Sequence, residues 1–270
     1  GAVNFAADVT LADGADLITA SAGTSNFRAG VNAGNSIASG GNYNVVVGDE
    51  AGTALTTGNQ NVAVGFNALT ADTLGDRNVA IGVSALEAQN FTSSTDAYNT
   101  AVGARAGAAV STGIGNSLIG GLAGDALSDA DYNVAVGSYA LTADTLGSRS
   151  TAIGVSALES QNFTSATDTY NTAVGFAAGG AITTGVQNTL IGGLAGDALT
   201  DGSNNVALGI NALSSDIRGS KATAIGSGAL ATQGFASVTD TYNTAVGYNA
   251  GVAVSTGVQN TLIGGLAGDS

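Results

Sequence analysis

The chain has 270 residues, 20 acidic and 6 basic, with a formal net charge of −14, and it contains no Pro, Cys, Met, Trp or His. So acidic a surface disfavours nucleic acid and anionic membranes as partners, and no apolar run is long enough to predict membrane insertion. The absence of His and Cys removes the commonest general base, the thiolate nucleophile and the usual transition-metal ligands, so we predict no enzyme, no cofactor and no metal site.

The first 25 residues, "GAVNFAADVTLADGADLITASAGTS", share no pattern with the rest of the chain. Residues 26–270 repeat one word and form a predicted repeat domain. The end of a repeat array exposes unpaired strand edges that must be covered. We therefore predict that residues 1–25 cap the array or cross to a neighbouring chain as a donated strand.

The repeated word is Asn-x-Ala-(Val/Ile)-Gly-x-x-Ala-(Leu/Gly), as in "NVAVGFNAL" from Asn61 and "NVAIGVSAL" from Asn78. Its central glycines are residues 48, 65, 82, 103, 120, 137, 154, 175, 192, 209, 226, 247 and 264. Successive glycines are 17 or 21 residues apart, and three units of 17 plus one of 21 make a super-repeat of 72 residues. Such a fixed period is typical of stacked repeat architectures.

Side chains in the word alternate, with Val62 and Val64 on one side and Ala63 and Gly65 on the other. Alternation of this kind indicates a β-strand. We predict an all-β, parallel β-solenoid of about 14 coils, each with two short strands and two turns. At about 4.8 Å per stacked strand, the rod would be roughly 65 Å long. The word's asparagine either stacks into an amide ladder or forms a turn.

The small side of the word has Gly at its fifth position in every copy and Ala at its third in most, with Leu118, Leu190 and Leu262 interrupting it once per 72 residues. A side that is kept this small suggests close approach by another backbone. We predict that Val and Ile fill the coil and that the small side is a lateral interface around a three-fold axis. Its predicted members are Ala63, Gly65, Ala80, Gly82, Ala101, Gly103, Leu118, Gly120, Leu190, Gly192, Leu262 and Gly264. In the alternative, the small side is the inside of a flattened coil and Val and Ile pack outward against a neighbour.

The word resembles the head-domain repeat of trimeric autotransporter adhesins (YadA-like heads) and of related phage tail-fibre proteins, whose signature is Asn-Ser-Val-Ala-Ile-Gly. Asn78–Gly82 and Ser150–Gly154 carry the resemblance most clearly. It implies a left-handed parallel β-roll, three chains side by side, extracellular or cell-surface display, and adhesion to a host surface protein or glycan. The regular 17- and 21-residue spacing departs from that family, whose coils are usually shorter.

Each 21-residue unit contains a four-residue insertion within stretches such as "QNFTSSTDAYN" at 89–99. The candidate ligand-contact residues of these loops are Phe91, Tyr98, Phe163, Tyr170, Phe235 and Tyr242. Exposed rings with Ser and Thr suit carbohydrate or protein contact. In the alternative, the rings pack over the coil edge and shield it.

Acidic residues in two other loops suggest minor roles. Asp72 with Arg77 and Asp144 with Arg149 suggest weak surface ion pairs. Asp125, Asp129 and Asp131, with Asp197 and Asp201, are possible oxygen ligands for calcium, although their spacing does not match a calcium motif.

The function predicted from these features is an extracellular structural or adhesive fibre protein that associates with itself, as a homotrimer. A first alternative is a subunit of a head-to-tail filament, because the last coil stops unfinished at Ser270. An alternative of another class is an ice-binding β-solenoid, suggested by threonine columns such as Thr100, Thr172 and Thr244.

Overall fold

The computed structural model of the chain describes residues 21–270, in which every regular element is a strand. The predicted N-terminal cap, residues 1–25, lies outside the described residues except for its last five. The strands, numbered in chain order, are β1 (Phe27–Ala29), β2 (Val45–Val47), β3 (Val62–Val64), β4 (Gly75–Asp76), β5 (Val79–Ile81), β6 (Thr95–Asp96), β7 (Thr100–Val102), β8 (Ser117–Ile119), β9 (Val134–Val136), β10 (Gly147–Ser148), β11 (Thr151–Ile153), β12 (Thr167–Asp168), β13 (Thr172–Val174), β14 (Thr189–Ile191), β15 (Val206–Leu208), β16 (Gly219–Ser220), β17 (Thr223–Ile225), β18 (Thr239–Asp240), β19 (Thr244–Val246) and β20 (Thr261–Ile263).

The fourteen three-residue strands form one parallel sheet in which each strand pairs with the strands of the preceding and following coils. The register is constant along the rod, so that Ala152 lies between Ala135 and Ala173. The six two-residue strands pair as β4–β6, β10–β12 and β16–β18 beside the 21-residue coils. The prediction of an all-β parallel solenoid with about 14 coils is therefore confirmed.

The small side of the word faces the inside of the coil, which corrects the predicted lateral interface. Ala63, Ala80, Ala101, Leu118 and Leu190 are completely buried in the core of their own chain. Side chains that their own chain already covers cannot meet another chain. The valines at either end of the same strand, such as Val62 and Val64, lie half-exposed on the outside.

The remaining members of the predicted interface also contact their own chain. Leu262 is partly buried and packs against the core. The word's central glycines lie against one another from coil to coil, since a Cβ added to Gly65 would come within 2.5 Å of the carbonyl oxygen of Gly82. The same close contact with the central glycine of the next coil is made by Gly82, Gly103, Gly120 and Gly192. Gly264 lies in the last coil and has no such neighbour. Glycine is required at these positions because the coils of one chain stack too closely to admit a Cβ atom.

The coil is narrow because its interior is filled mainly by alanine and leucine. The strand contributes one inward side chain per coil, such as Ala152, and the opposite side contributes pairs such as Ala157 and Leu158, all fully buried. Two β-branched side chains per strand would not fit this space at native packing density. The alternative arrangement, with Val and Ile outward, is therefore the one that the structure adopts.

Two short strands per coil were predicted, and a second strand, two residues long, is present in six coils as β4, β6, β10, β12, β16 and β18. The segment that follows each strand of the main sheet consists of turns. Asn67 and Leu69 both have left-handed backbone, with φ of 56° and 52°. Left-handed residues in alternate positions interrupt an extended strand. Adjacent turns still bond to each other, as in the 3.0 Å bond from the Leu141 N–H to the Ala157 carbonyl.

The word's asparagines form a buried ladder along the rod, which decides between the two predicted roles. The Asn61 side-chain oxygen accepts a 2.9 Å bond from the Asn78 N–H in the next coil, and the Asn61 amide donates a 2.8 Å bond to the Gly75 carbonyl. The same bonds recur at Asn116 and Asn188. Each asparagine thus joins its own turn to the following coil.

The ladder has two gaps that the sequence analysis missed. Ser150 and Ala222 occupy ladder positions, and neither can serve as Asn does. In those coils a threonine hydroxyl replaces the missing amide oxygen as the acceptor. The Asn171 N–H donates to the Thr169 hydroxyl and the Asn243 N–H donates to the Thr241 hydroxyl, each at 3.4 Å. The first super-repeat keeps asparagine at this position and has alanine where the others have threonine, which was the available sequence signal.

Candidate functional site

From β2 to β20, the outside of the main sheet carries two columns of side chains, which together are called the strand face; the same positions in β1 are Phe27 and Ala29. The first column contains Val45, Val62, Val79, Thr100, Ser117, Val134, Thr151, Thr172, Thr189, Val206, Thr223, Thr244 and Thr261. The second contains Val47, Val64, Ile81, Val102, Ile119, Val136, Ile153, Val174, Ile191, Leu208, Ile225, Val246 and Ile263. Parallel in-register pairing stacks each column in line along the rod.

The strand face is uncharged in a chain that carries many acidic residues, and it is mostly apolar, with threonine or serine at eight positions of the first column. None of the 20 acidic and 6 basic residues lies in either column. Ile153 is 38% exposed in the middle of the rod, and Ile119 and Leu208 are exposed to a similar degree. Two columns about 7 Å apart, over a rod about 60 Å long, make a stripe on the order of 400 Å². Continuous apolar patches of this size mark interaction surfaces.

The loops of the 21-residue coils divide the six predicted ligand-contact residues into two groups. Phe91, Phe163 and Phe235 are buried, with at most 8% of their surface exposed. They cover the coil edge, so the prediction that these rings contact a ligand is wrong. Tyr98, Tyr170 and Tyr242 are more than half exposed. The tyrosines therefore stay candidates for ligand contact.

Each exposed tyrosine lies next to an ion pair that differs from the predicted one. Arg77 pairs with Asp96, and its Nη1 donates a 2.8 Å bond to the Tyr98 hydroxyl. Arg149 pairs with Asp168 at 2.8 Å, and Lys221 with Asp240 at 2.6 Å. These acidic partners lie one coil further along the chain, because stacking brings residues 19 positions apart to the same edge of the rod.

Asp72 and Asp144, which were predicted to pair with Arg77 and Arg149, are completely buried without a cation. The Asp72 carboxylate accepts bonds from the Gly75 N–H at 2.9 Å and the Gln89 amide at 2.7 Å. Gln89 in turn accepts a bond from Asn99 of the ladder at 2.8 Å. These carboxylates therefore connect the wider coil to the asparagine ladder.

Burial raises the pKa of the Asp72 and Asp144 carboxyl groups, and the bonds from Gln89 and Gln161 oppose this effect. A carboxyl group whose pKa is higher in the folded state stabilises the fold below its ordinary pKa, and this stability is lost as the pH rises through the raised value. We therefore expect the free energy of unfolding to fall from about pH 4 upward. Urea denaturation at a series of pH values measures this slope.

Two double variants test this prediction. Each removes two carboxylates, a buried pair in one variant and an exposed pair in the other. Asp72→Asn/Asp144→Asn should flatten the pH dependence, although it also lowers the absolute stability because an amide donor would face Gln89. Asp129→Asn/Asp269→Asn removes two exposed carboxylates and should keep the wild-type slope. Equal slopes in the two double variants would contradict the role given to the buried groups.

The possible calcium ligands are not brought together. Asp125 accepts a 2.5 Å bond from Thr142, Asp129 accepts one from Thr112, and Asp131 accepts one from the Ile114 N–H. Residues 21–270 contain no group of three or more acidic side chains placed to hold a metal ion. Over the same residues, no helix is long and apolar enough to cross a membrane.

A function can therefore be argued from two surfaces, the strand face and the loops that carry Tyr98, Tyr170 and Tyr242. The resemblance to adhesin heads rests on the repeated word and stays a prediction. No family model, curated protein or solved structure matches the chain.

Proposed function

We propose that the chain is an extracellular, surface-displayed structural or adhesive fibre protein whose copies assemble laterally through the strand face. The observation that carries this proposal is the uncharged stripe of Val, Ile, Leu, Thr and Ser side chains along the outside of the sheet. The corrected orientation of the strands moves the proposed interface from the alanines to their outward neighbours.

Charge supports the choice of this face for self-association. Two copies with a net charge of −14 each repel one another over most of their surfaces. The strand face is free of charge over the length of the sheet, so it is where two copies can approach most closely. Burial of its apolar area would contribute about 25 cal/mol per Å² before the entropic cost of association.

The shape of the stripe favours three chains around a common axis. A face only two side chains wide leaves most of each rod exposed and lets three such faces converge on one narrow core. This arrangement agrees with the trimeric heads that the word resembles. A homotrimer of rods suits a rigid surface fibre whose outer edges stay free to bind.

We expect the purified protein to have three times the mass of one chain, as measured by light scattering on a sizing column. Ile153→Lys places a charge in the middle of the strand face, and three such lysines would meet at the axis. This variant should become monomeric while its circular dichroism keeps the wild-type β spectrum. Burial of an unpaired lysine costs several kcal/mol, enough to dissociate the trimer at micromolar concentration.

Ala166→Lys adds the same charge on an exposed loop and serves as the control. It should keep the mass of the wild-type protein. A monomeric wild type would refute lateral assembly, as would an Ile153→Lys variant that keeps its oligomeric mass. Long uniform filaments in electron micrographs would favour the head-to-tail alternative.

A second candidate function, ice binding, is favoured by the outward position of the threonine column. Thr100, Thr172 and Thr244 lie half-exposed on the strand face at a regular repeat. Valine or serine interrupts this column in six of its thirteen positions, so the array is less uniform than an ice-binding face requires. A monomeric wild type that shows thermal hysteresis would replace the fibre proposal with this one.

A further inference from the structure

One edge of the rod carries a column of residues, one per coil, which is called the edge column and in which all but one member has a large polar or aromatic side chain. It is formed by the residue that precedes each copy of the word. Its members are Tyr43, Gln60, Arg77, Tyr98, Gly115, Tyr132, Arg149, Tyr170, Gln187, Asn204, Lys221, Tyr242 and Gln259. The column holds five of the seven tyrosines and three of the six basic residues of the chain.

The members of the edge column share one backbone geometry. All twelve non-glycine members have left-handed backbone, with φ between 49° and 63°. A bulky residue in this conformation costs about 1 kcal/mol or more, whereas glycine and asparagine adopt it readily. Only Gly115 and Asn204 are of the favoured types. Within residues 21–270, twenty other non-glycine residues, such as Leu69 and Leu86, also have left-handed backbone. This geometry therefore belongs to the turns of the coil, and the side chains are what distinguish the edge column.

Members of the edge column form three triads, in which a cation and a tyrosine of the column meet the aspartate two residues before that tyrosine. The first is Arg77, Asp96 and Tyr98, in which the guanidinium carbon lies 5.5 Å from the centre of the tyrosine ring. The second triad, Arg149, Asp168 and Tyr170, differs from the first, because its guanidinium carbon lies 5.3 Å from the ring centre of Tyr132 in the preceding coil and only Asp168 bonds to the Tyr170 hydroxyl, at 3.3 Å. The third triad is Lys221, Asp240 and Tyr242, with the amino nitrogen 5.1 Å from the ring centre. Each triad lies four coils from the next, about 19 Å along the rod.

Hydrogen bonds with the neighbouring charged groups hold these tyrosines in place, and each tyrosine stays more than half exposed. In the third copy, the Lys221 amino group donates to Asp240 at 2.6 Å and to the Tyr242 hydroxyl at 3.2 Å. Tyr98, Tyr170 and Tyr242 are 58%, 53% and 52% exposed. A held ring loses little rotamer entropy when a ligand covers it, so stacking on it is favourable.

A groove beside Arg77 and Asp96 of the first triad offers both hydrogen-bond donors and hydrogen-bond acceptors. It has a volume of about 240 Å³ and is lined by Tyr43, Asn59, Gln60, Asp76, Arg77 and Asp96. The amides and the guanidinium donate hydrogen bonds, and the carboxylates and amide oxygens accept them. Because cation and carboxylate are paired, the groove has no excess positive charge to attract an anionic ligand.

We infer that the edge column binds a neutral polysaccharide that lies along the rod. Sugar rings would stack on Tyr98, Tyr170 and Tyr242, and their hydroxyl groups would exchange hydrogen bonds with the neighbouring carboxylates, cations and amides. A polymer suits a site that repeats along one axis, because each added contact raises the affinity of the whole chain through effective concentration. The inference deepens the proposed surface function by naming its ligand class, and it does not depend on lateral assembly.

Three tyrosine substitutions test this inference without adding backbone strain. Tyr98→Asn/Tyr170→Asn/Tyr242→Asn removes the rings and places at each position a residue that tolerates left-handed backbone, as Asn204 does. The probes are microcrystalline cellulose, chitin and a soluble neutral glucan, with the full 270-residue chain measured by depletion and by affinity electrophoresis. We expect the wild type to bind at least one probe and the triple variant to bind it at least tenfold more weakly.

The matched control is Tyr139→Asn/Tyr248→Asn, because both tyrosines are exposed and lie outside the edge column. Tyr139 also has left-handed backbone, with φ of 60°. This control should bind as the wild type does, and circular dichroism should show all three proteins equally folded. The inference is overturned if the wild type binds none of the probes, or if the control loses as much affinity as the triple variant. Measuring the mass of each protein separates loss of binding from loss of assembly.

Discussion

Gly192→Ala is expected to lower the free energy of unfolding by about 3 kcal/mol or more, although it adds a single methyl group. Gly192 has a φ of +135°, a region that residues with a Cβ rarely adopt. An added Cβ would lie 2.5 Å from the carbonyl oxygen of Gly209 in the next coil and 2.6 Å from its carbonyl carbon. Both contacts are with backbone, so no side chain can move aside. The coils would have to separate locally, and urea denaturation would measure the loss.

The neighbouring residue is the control for this prediction. A Cβ added to Gly193 would have no atom within 4 Å, and Gly193 does not have the left-handed backbone of Gly192. Gly193→Ala should therefore change the free energy of unfolding by no more than about 0.5 kcal/mol. Similar losses in the two variants would mean that glycine at this part of the coil is needed for another reason than close stacking.

Asn133→Ala is expected to destabilise the fold by about 2–5 kcal/mol, because two buried backbone groups lose their partners. The Asn133 side-chain oxygen accepts a 2.9 Å bond from the Ser150 N–H, and its amide donates a 2.9 Å bond to the Gly147 carbonyl. Asn133 is completely buried, so water cannot replace either bond. Hydrogen exchange at the Ser150 amide and urea denaturation of the whole chain measure the local and global effects.

Asn162→Ala provides the comparison, since Asn162 is exposed and its side chain accepts one bond, from the Thr145 hydroxyl at 3.1 Å. We expect that variant to lose at most about 0.5 kcal/mol. If Asn133→Ala were equally mild, the ladder would be dispensable and the sheet alone would hold the coils together. Since each coil contacts only its neighbours, the damage from Asn133→Ala should be greatest in the coils next to it.

Both predictions concern residues that the repeated word shows directly, and the same word predicts much of the fold. Alternation and spacing place the strands at the second to fourth residues of each copy, as in Val62–Val64 and Thr151–Ile153. The constant interval also predicts parallel stacking, because only equal coils keep their strands in register. These properties depend only on the order and spacing of residues along the chain, so the sequence is sufficient to predict them.

The orientation of the strands could not be read in the same way. Alternation separates Ala152 from Thr151 and Ile153, but it does not state which side is inside. The width of the coil decides this, since the turn opposite the strand already fills the interior with Ala157 and Leu158. The surface proposed for assembly is therefore formed by Thr151, Ile153 and their equivalents in the other coils, while the alanines lie inside.

Partners that lie one coil apart were also beyond the sequence. Arg77 and Asp72 are five residues apart, yet Asp72 is buried against Gln89 and Arg77 pairs with Asp96. The sequence by itself determined the repeat, the strands and the stack of parallel coils. Only the tertiary structure decided which side chains are covered and which meet at an edge, because both depend on the closure of each coil and on contacts between residues 17 to 21 positions apart.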